Sequence, residues 1–308
     1  MKKLTAEQYA EKYMDAPFAA LNESEARDFP LPKRARVSHK YSYGRALVIA
    51  GSRGFAGAPV LAANAAERSG AGLTRLMVPE GIYTAAALRC DGAVVTPLPE
   101  NEVGCIAPDA LPELLSALEQ ASACVVGPGL GTGADSQELV KAVLNRADCP
   151  LVLDADALTV AAREPELLDN CRVPLILTPH GGEFRRLGGD ASRSRLRGAL
   201  DFTEKHKKLI LILKGYGSLI CRDGEAVVNP TGGPAMAKGG SGDVLCGILC
   251  ALLAQGFEPW LAARAAVWLH GFAGDLAEGE LGEYSLAPSD LIHFLPKAFQ
   301  TLCVDSKN

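Results

Sequence analysis

Residues 46–51 read Ala46-Leu47-Val48-Ile49-Ala50-Gly51, an uninterrupted apolar run that stops at a glycine. A run of this kind is typical of a strand that is buried on both faces of a parallel sheet. Apolar runs at 73–78, 124–126, 150–153 and 173–177 have the same character, and most of them lead directly into Gly, Pro, Asp or His. The pattern predicts a mostly parallel sheet at the centre of the fold.

Helix-like stretches separate these strands, at 58–69, 109–120, 135–146 and 183–188. The alternation of strand and helix predicts an α/β protein with three layers, in which helices cover both faces of the sheet. Ligands of such sheets bind beyond the carboxyl ends of the strands, and this is where the polar and glycine-rich clusters of the sequence fall.

The later part of the chain has a different order of elements. Short strands at 209–214, 218–222 and 226–228, with Asp223-Gly224 as a turn, predict an antiparallel section. Helical patterns follow; they occupy 241–255, 259–278 and 288–301. We assign 43–303 to a single domain, because no internal repeat or low-complexity tract divides it.

Residues 1–42 differ from this domain in character. Residues 5–8 (Thr5-Ala6-Glu7-Gln8) resemble a capping box that opens a short helix. Residues 29–36 form a basic stretch that is interrupted by prolines and predicts an extended arm. We expect this N-terminal segment to pack on the body of the protein or on a neighbouring subunit.

The composition is that of a globular protein without a basic face. The 308 residues are 48% apolar and 22% charged, and the formal net charge is −5, so a nucleic acid is not an expected partner. No apolar segment of signal-peptide type follows the first residues, and no uncharged run reaches the ~18–20 apolar residues of a membrane span. Nine cysteines without a CxxC motif predict free thiols, and we expect a cytoplasmic protein.

The segment best suited to chemistry is Asn229-Pro230-Thr231-Gly232-Gly233-Pro234-Ala235-Met236-Ala237-Lys238-Gly239-Gly240-Ser241-Gly242-Asp243, which leads into an apolar helix. Successive glycines let backbone amides converge on an anion, and a helix N-terminus adds unpaired donors and the positive end of its dipole. Asp243 falls in the first helical turn, where it could take a proton from a hydroxyl that attacks a phosphoryl group. The alternative is that Asp243 only complements the helix dipole.

Three other glycine-rich segments are weaker candidates. Lys214-Gly215-Tyr216-Gly217-Ser218 could let a ligand approach the backbone closely, although a tight turn explains the glycines equally well. Gly127-Pro128-Gly129-Leu130-Gly131 follows a strand and could open a substrate-facing loop. Residues 51–58 could cradle a phosphate with the help of Arg53, or form a plain turn between strand and helix. Neither a GxGxxG fingerprint nor a Walker motif occurs.

Polar side chains follow two of the predicted parallel strands. Asp154 and Asp156 come after one of them, where they could hold Mg²⁺ with its waters or cap the next turn. His180 and Glu183 come after the next. A single His is more often structural than catalytic, and Glu183 could simply cap the helix that begins there.

Taken together, these stretches resemble the ADP/ATP-dependent NAD(P)H-hydrate dehydratases, a branch of the ribokinase-like superfamily. The resemblance covers about residues 39–302 and rests on seven segments that occur in the family's order. The segments are 44–52, 69–73, 127–131, 153–158, 178–180 with 183–184, 214–215 and 239–243. This resemblance implies a ribokinase-like three-layer fold with a mostly parallel sheet.

The resemblance implies a hydro-lyase of metabolite repair. Such an enzyme uses ADP or ATP with Mg²⁺ to phosphorylate the hydroxyl of hydrated NADH or NADPH, and loss of phosphate restores the nicotinamide. The implied roles are a catalytic base at Asp243, an anion hole at 239–242, nucleotide contacts at 214–218 and Gly242, and substrate contacts at Ala58, Gly131, His180 and Asp243. Asp154, Asp156 and Glu183 could contact the substrate or metal-bound water, and no metal ligand is assigned.

The chain departs from the family pattern at two places. Tyr41 follows His39-Lys40 where relatives often have Gly, and Gly181-Gly182 follows His180 where a Pro or a bulkier residue is expected. These differences concern the hydrate site more than the fold. Many relatives carry an epimerase domain in front, for which residues 1–42 are too few, so we expect any epimerase to be a separate protein. The resemblance also implies a homo-oligomer.

Two other functions fit part of the pattern. A kinase that acts on a small alcohol would share the fold, Asp243 and the glycine loop, and would release a stable phosphoester. The segments 127–131, 154–156 and 178–183 favour the dehydratases over this kinase. A non-catalytic nucleotide sensor fits less well, because binding alone needs no base at Asp243.

Overall fold

The computed structural model describes residues 19–20, 31, 34–192 and 194–303. Within them, ten strands form one sheet in the order β1-β10-β9-β8-β7-β6-β5-β2-β3-β4. In chain order the strands are β1 (Ala19–Ala20), β2 (Arg45–Ile49), β3 (Leu73–Pro79), β4 (Val94–Leu98), β5 (Ala123–Val126), β6 (Leu151–Leu153), β7 (Leu175–Leu177), β8 (Leu209–Leu213), β9 (Ser218–Arg222) and β10 (Glu225–Asn229).

The sheet is parallel except around its late strands, as the sequence predicts. Strands β2 to β8 pair in parallel, whereas β9 is antiparallel to both β8 and β10. The turn between β9 and β10 has positive φ at Asp223 (35°) and Gly224 (79°). Two positive values are characteristic of the tight hairpin turns that match the twist of antiparallel strands.

Helices cover both faces of the sheet, which confirms the predicted three-layer architecture. They are α1 (Gly57–Arg68), α2 (Glu80–Ala87), α3 (Leu111–Glu119), α4 (Ala134–Arg146), α5 (Asp156–Ala161), α6 (Glu166–Asn170), α7 (Gly181–Arg186), α8 (Arg195–Lys205), α9 (Ser241–Ala254), α10 (Pro259–Leu281) and α11 (Pro288–Cys303). Short 3₁₀ helices occur at Lys40–Tyr43, Pro108–Ala110 and Pro234–Met236.

Alternate residues of the strands face two separate cores. In β2, Ala46 and Val48 belong to the core that includes α1, α9, α10 and α11, whereas Leu47 and Ile49 belong to the core with α3 to α8. Helix α9 is apolar on all sides after its first turn, so it must be buried on all sides. It packs so closely on α1 that a Cβ at Gly247 would lie 2.2 Å from the carbonyl oxygen of Ala62.

The structure contains several elements that the sequence did not predict. Strand β4 contains Pro97 and lies at the sheet edge, where a proline costs no ladder bond and the side chains are largely exposed. Helix α8 contains Gly198, where a Cβ would lie 1.8 Å from the carbonyl oxygen of Asp190. The remaining ones, α2, α5 and α6, have eight residues or fewer and carry little periodicity.

The N-terminal segment is described only in part. Strand β1 pairs in parallel with β10 at the sheet edge. The guanidinium of Arg34 lies over the ring of Tyr43 at 4.0 Å and donates to the side chain of Gln255 at 3.2 Å. The helix expected at 5–8 lies outside the described residues. No helix among the described residues is long and apolar enough to cross a membrane.

Candidate active site

The loops after five parallel strands meet at one end of the sheet. They follow β2, β5, β6, β7 and β8, and α9 begins beside them. The strand order reverses between β2 and β5, which is where open α/β sheets bind ligands. Two hydrogen bonds of 2.8 Å join the loops there, from the amide of Gly51 to Pro128 O and from the hydroxyl of Ser52 to Gly129 O.

The glycine-rich segment leads into the N-terminus of α9, where several backbone amides have no hydrogen-bond acceptor among the described residues. Gly240 has a φ of +102°, and a Cβ there would lie 2.8 Å from Leu61, so this position requires glycine. Within the part of the chain that the structure describes, the amides of Gly239, Gly240, Gly242 and Asp243 donate to no acceptor. Such a group of N–H donors at a helix N-terminus forms a binding site for an anion.

The polar side chains of this segment face away from the free amides. The hydroxyl of Ser241 donates to Met236 O at 2.8 Å, and its amide lies 3.4 Å from Lys238 O. The ammonium of Lys238 donates to Tyr284 O at 2.8 Å and to Leu286 O at 2.5 Å. Lys238 therefore anchors the glycine loop to the connection before α11.

A buried ion pair lies beneath the first turn of α9. The Nζ atom of Lys214 lies 2.6 Å from Oδ1 of Asp154, and the side chains are 21% and 2% exposed. The hydroxyl of Thr178 lies 2.8 Å from the same oxygen. A Cβ on Gly242 would lie 3.2 Å from Lys214 Nζ, which puts the ammonium directly under the anion site.

The ion pair keeps both of its members charged. Burial alone would raise the pKa of Asp154, but the charge of Lys214 and the hydrogen bonds outweigh it and hold that pKa below its usual value. Burial likewise disfavours the charged form of Lys214, and the Asp154 carboxylate more than compensates, so the pKa of Lys214 is raised. The site therefore keeps a fixed cation at neutral pH.

Asp243 lies in the first turn of α9, as the sequence predicts. Its carboxylate makes no hydrogen bond or ion pair with the described residues. Burial, followed by the nearby charge of Asp154, raises the pKa of Asp243 to about 7, against the opposing effect of Lys214. A carboxylate that titrates near neutrality and is not engaged elsewhere is suited to act as a general base.

The two aspartates after β6 have different partners. Asp154 reaches Lys214, whereas Oδ2 of Asp156 accepts the amide of Gly131 at 2.8 Å. Ala155 between them has a φ of 51° and a ψ of −115°, which is unfavourable for a residue with a side chain. Backbone strain of this kind is found mostly at functional sites, where the surroundings enforce it.

Gly131 is held in place from two sides. Besides its bond to Asp156, it has a φ of +86°, and a Cβ there would lie 2.6 Å from Sγ of Cys105. The backbone amide of Cys105 donates to Asn101 at 2.9 Å, and Asn101 donates to Asp135 at 2.6 Å. The loop after β4 thus forms a wall of the site beside Gly131.

His180 and Glu183 cap α7 reciprocally. Nδ1 of His180 accepts the amides of Gly182 (2.9 Å) and Glu183 (3.3 Å), while Oε2 of Glu183 accepts the amide of His180 at 2.8 Å. A Cβ at Gly182 would lie 2.8 Å from the His180 ring, so the glycine that departs from the family pattern fits this cap. The capping interpretation therefore accounts for both side chains, and 57% of the His180 side chain remains exposed to a ligand.

The loop between β8 and β9 is organised by an arginine from α8. The guanidinium of Arg195 donates to Leu213 O (3.2 Å), Lys214 O (3.3 Å) and Tyr216 O (2.8 Å). Gly215 has a φ of +150°, and a Cβ there would lie 2.9 Å from this guanidinium. The turn is completed by the hydroxyl of Ser218, which donates to Gly215 O at 3.1 Å.

Ala58 lies in the first turn of α1, the helix that follows β2, and three strands separate β2 from β8 in the sheet. The space around the preceding Gly57 is open, because a Cβ there would meet nothing within 4 Å. Arg53, which the sequence suggests as a phosphate ligand, pairs instead with Glu100 at 3.1 Å and donates to Glu102 O at 3.0 Å. Its charge is already compensated by the loop after β4.

No dedicated metal cage lies among the described residues, since no group of three His, Cys, Asp or Glu side chains could hold an ion. Asp154 and Asp156 each have one carboxylate oxygen engaged by a protein donor, whereas both oxygens of Glu183 lie near His180, at 2.8 Å from its amide and 3.4 Å from its Nε2. The remaining oxygens of the two aspartates fit Mg²⁺ as it usually enters nucleotide sites, bound to phosphates and waters with only one or two protein carboxylates.

Three residues around the site are missing from the sequence-based expectation, namely Arg195, Cys105 and His270. Each acts on a loop that is far away in the chain; Nε2 of His270, for example, lies 2.8 Å from Ser241 O. No motif surrounds any of them, so the sequence offers no local signal from which their positions could be predicted.

Comparison with known proteins places this geometry in a family. The model of the NAD(P)H-hydrate dehydratase family matches residues 46–297. A bifunctional NAD(P)H-hydrate repair enzyme, Nnr, from Moorella thermoacetica is 40% identical over 276 residues, which are 88% of this chain and 52% of that protein. The chain thus spans about half the length of the curated relatives it matches.

Solved structures agree with this match. The ADP/ATP-dependent NAD(P)H-hydrate dehydratase from Bacillus subtilis, co-crystallised with ATP and Mg²⁺, superposes with a TM-score of 0.79 at 31% identity and covers 92% of this chain and 99% of its own. A ribokinase-like superfamily protein from Enterococcus faecalis has a TM-score of 0.82 at 28% identity, with coverages of 92% and 96%. This chain belongs to the NAD(P)H-hydrate dehydratase family and has its ribokinase-like fold.

Proposed function

We propose that the protein catalyses the ADP- or ATP-dependent dehydration of hydrated NADH or NADPH and so returns a damaged cofactor to use. The observation that carries this proposal is the meeting of three features at the carboxyl ends of the strands. They are the unengaged carboxylate of Asp243, the free amides around Gly242 and the ammonium of Lys214. This combination suits phosphoryl transfer to a hydroxyl, in which positioning and charge stabilisation do most of the work.

In this mechanism the terminal phosphoryl group of the nucleotide lies against the free amides of Gly239, Gly240 and Gly242, with Lys214 beneath them. Asp243 takes the proton of the hydrate hydroxyl as its oxygen bonds to phosphorus, and the bond from phosphorus to the departing nucleotide breaks. Elimination then breaks the carbon–oxygen bond and releases phosphate. The neighbouring ring carbon loses a proton to the solvent, which restores the double bond of the dihydronicotinamide.

The remaining site residues take the roles that the family resemblance implies. We assign 214–218 and Gly242 to the nucleotide, and Ala58, Gly131 and His180 to the hydrate. Asp154, Asp156 and Glu183 are the carboxylates from which Mg²⁺ and its waters would take protein oxygens. Bound there, Mg²⁺ would neutralise negative charge on the phosphates. We also keep Ser241 in the anion hole as a proposal, although its amide lies 3.4 Å from Lys238 O.

We also propose how the whole chain is organised. In this proposal 43–303 is the dehydratase domain, which the family match to 46–297 supports, and 1–42 is an arm. We also propose that the protein is a homo-oligomer. A cytoplasmic location fits the free thiols, since all eight cysteines whose side chains are described are unpaired.

The dehydratase is tested by mixing the purified protein with hydrated NADH or NADPH, Mg²⁺ and either ADP or ATP. We expect the absorbance of reduced nicotinamide to rise only when nucleotide is present, and the faster nucleotide identifies the preferred donor. No rise, together with intact nucleotide binding, would contradict the dehydratase. A stable phosphoester made from a small alcohol under the same conditions would then support the kinase alternative.

A further inference from the structure

A histidine of α10 contacts the backbone at the start of α9. Nε2 of His270 lies 2.8 Å from the carbonyl oxygen of Ser241. Because a carbonyl oxygen can only accept, the ring nitrogen is the donor, and the hydrogen-bond network fixes the tautomer with its proton on Nε2. The hydrogen-bond ladder of α9 begins at the carbonyl of Gly240, which accepts the amide of Val244 at 3.3 Å, so the carbonyl that His270 contacts lies one residue further on, in the first turn of the helix.

The carbonyl of Ser241 and the amide of Gly242 belong to the same peptide group. The amide of Gly242 is one of the donors that meet no acceptor among the described residues. A donor on the oxygen of a peptide group polarises the N–H on its other end and fixes the plane in which that N–H points. The contact made by His270 therefore bears directly on the strength and direction of one donor of the anion site.

The imidazole acts here without a charge of its own. Burial lowers the pKa of His270 to about 4, the bond to Ser241 opposes this shift, and the nearby charge of Lys214 adds to it. The ring is therefore neutral at any pH near 7. A second cation beside Lys214 would raise the affinity of the site for all anions. A neutral donor can only align and polarise the Ser241–Gly242 peptide, which lies next to Lys214.

We propose that His270 is a positioning residue of the anion hole, which holds and polarises the Ser241–Gly242 peptide so that the amide of Gly242 points at the phosphoryl group in transfer. The inference rests on the proposed function, because it takes that phosphoryl group as the ligand of the free amides. The ligand concerned is the phosphate of the nucleotide, and we propose no contact between His270 and the hydrate.

The test compares variants with and without a donor at this position. His270→Phe fills the space without a donor, His270→Gln keeps an amide donor near the place of Nε2, and His270→Asn has a donor that is too short to reach. His206 supplies the control, because it is a buried, hydrogen-bonded histidine, with Nδ1 2.7 Å from Asp169, that lies in the connection between α8 and β8 and has no contact with Ser241. Thermal unfolding of each variant establishes that it is folded.

We expect His270→Phe and His270→Asn to lower kcat by roughly tenfold with little change in KM for the hydrate, which is less than the ~100-fold effect of losing a donor outright. His270→Gln should stay within about threefold of the unchanged protein, because its amide restores the hydrogen bond. His206→Phe should lower Tm and leave kcat unaltered. Equal kcat values for His270→Phe and the unchanged protein, or equal losses in His270→Gln and His270→Phe, would overturn the proposal.

A second readout separates this inference from the proposed function. The affinity for ATP with Mg²⁺ is measured by calorimetry for the same variants. If the unchanged protein does not act on the hydrate, the dehydratase proposal fails, and the positioning role is then decided by this affinity. A loss of about threefold or more in His270→Phe, recovered in His270→Gln, supports the role, and unchanged affinity refutes it.

Discussion

Replacing Asp243 with Asn abolishes turnover and makes the protein more resistant to heat. Asn cannot accept the proton of the hydroxyl, and removal of a positioned base costs about 100-fold or more in rate. The stabilisation follows from the raised pKa of Asp243, which moves from 3.8 to about 7 on folding because the carboxylate is buried near Asp154. Ionisation of Asp243 therefore destabilises the folded state. This loss of stability is absent below pH 3.8 and complete above about pH 7.

The loss of turnover and the gain in thermal stability can both be measured on one preparation of Asp243→Asn. At about pH 8 we expect Tm of Asp243→Asn to exceed that of the unchanged protein by about 2–4 °C, and this difference should vanish in acid. Nucleotide affinity should change only a few fold. In the unchanged protein, kcat/KM should fall as the pH drops below about 7, where Asp243 becomes protonated. Turnover by Asp243→Asn at a comparable rate would remove Asp243 as the base.

Separating Lys214 from Asp154 has the second large effect. The side chains are 21% and 2% exposed, so either one left alone is a charge in a poorly solvated place. We expect Lys214→Met and Asp154→Asn each to lower the free energy of unfolding by about 3–5 kcal/mol, as breaking a buried pair usually does. Denaturant unfolding measures this loss, and both variants should also lose activity by about 100-fold or more.

The double variant that carries Lys214→Met with Asp154→Asn separates the structural effect from the functional one. It leaves no uncompensated charge, so its stability should recover most of the loss seen in either single variant. Its activity should not recover, because the cation beneath Gly242 is absent. An active double variant would show that the pair serves only the fold, and a double variant as unstable as the sum of the singles would show that the two charges do not interact.

The fold was predictable because its strongest signals are local. The apolar run at 46–50 and those like it mark strands buried on two faces, and the wholly apolar α9 can only be a central helix. What escaped prediction has weak local signals. Strand β4 carries a proline at an exposed edge. Helix α8 carries Gly198, a glycine that is needed there because the backbone of Asp190 packs against it.

The candidate site was predictable only as far as its residues lie in motifs. Asp243 falls in the first helical turn as expected, and the segments chosen from the sequence do come together at the strand ends. Their partners were not predictable. That Asp154 pairs with Lys214 and Asp156 with Gly131 depends on the strained backbone at Ala155, which only the folded chain defines.

Partners that are distant in the sequence also explain why some motif residues have unexpected orientations. Lys238 lies in the glycine-rich segment yet binds the carbonyl oxygens of Tyr284 and Leu286, and Arg53 is paired with Glu100. In both cases the acceptor comes from a loop that is distant in the sequence and has no pattern of its own. Residue type and spacing therefore indicate the chemistry of a segment, whereas the partners decide which of its side chains remain available.

We propose that the hydroxyl of the hydrate is phosphorylated at this site before it leaves. This phosphorylation is tested most directly with hydrated NADH or NADPH whose hydroxyl oxygen is labelled with oxygen-18. We expect the label to appear in inorganic phosphate, because the oxygen that attacks phosphorus leaves the ring still attached to it. Label that appears in water, with unlabelled phosphate formed at the same rate, would contradict phosphoryl transfer to the hydrate and with it the role assigned to Asp243.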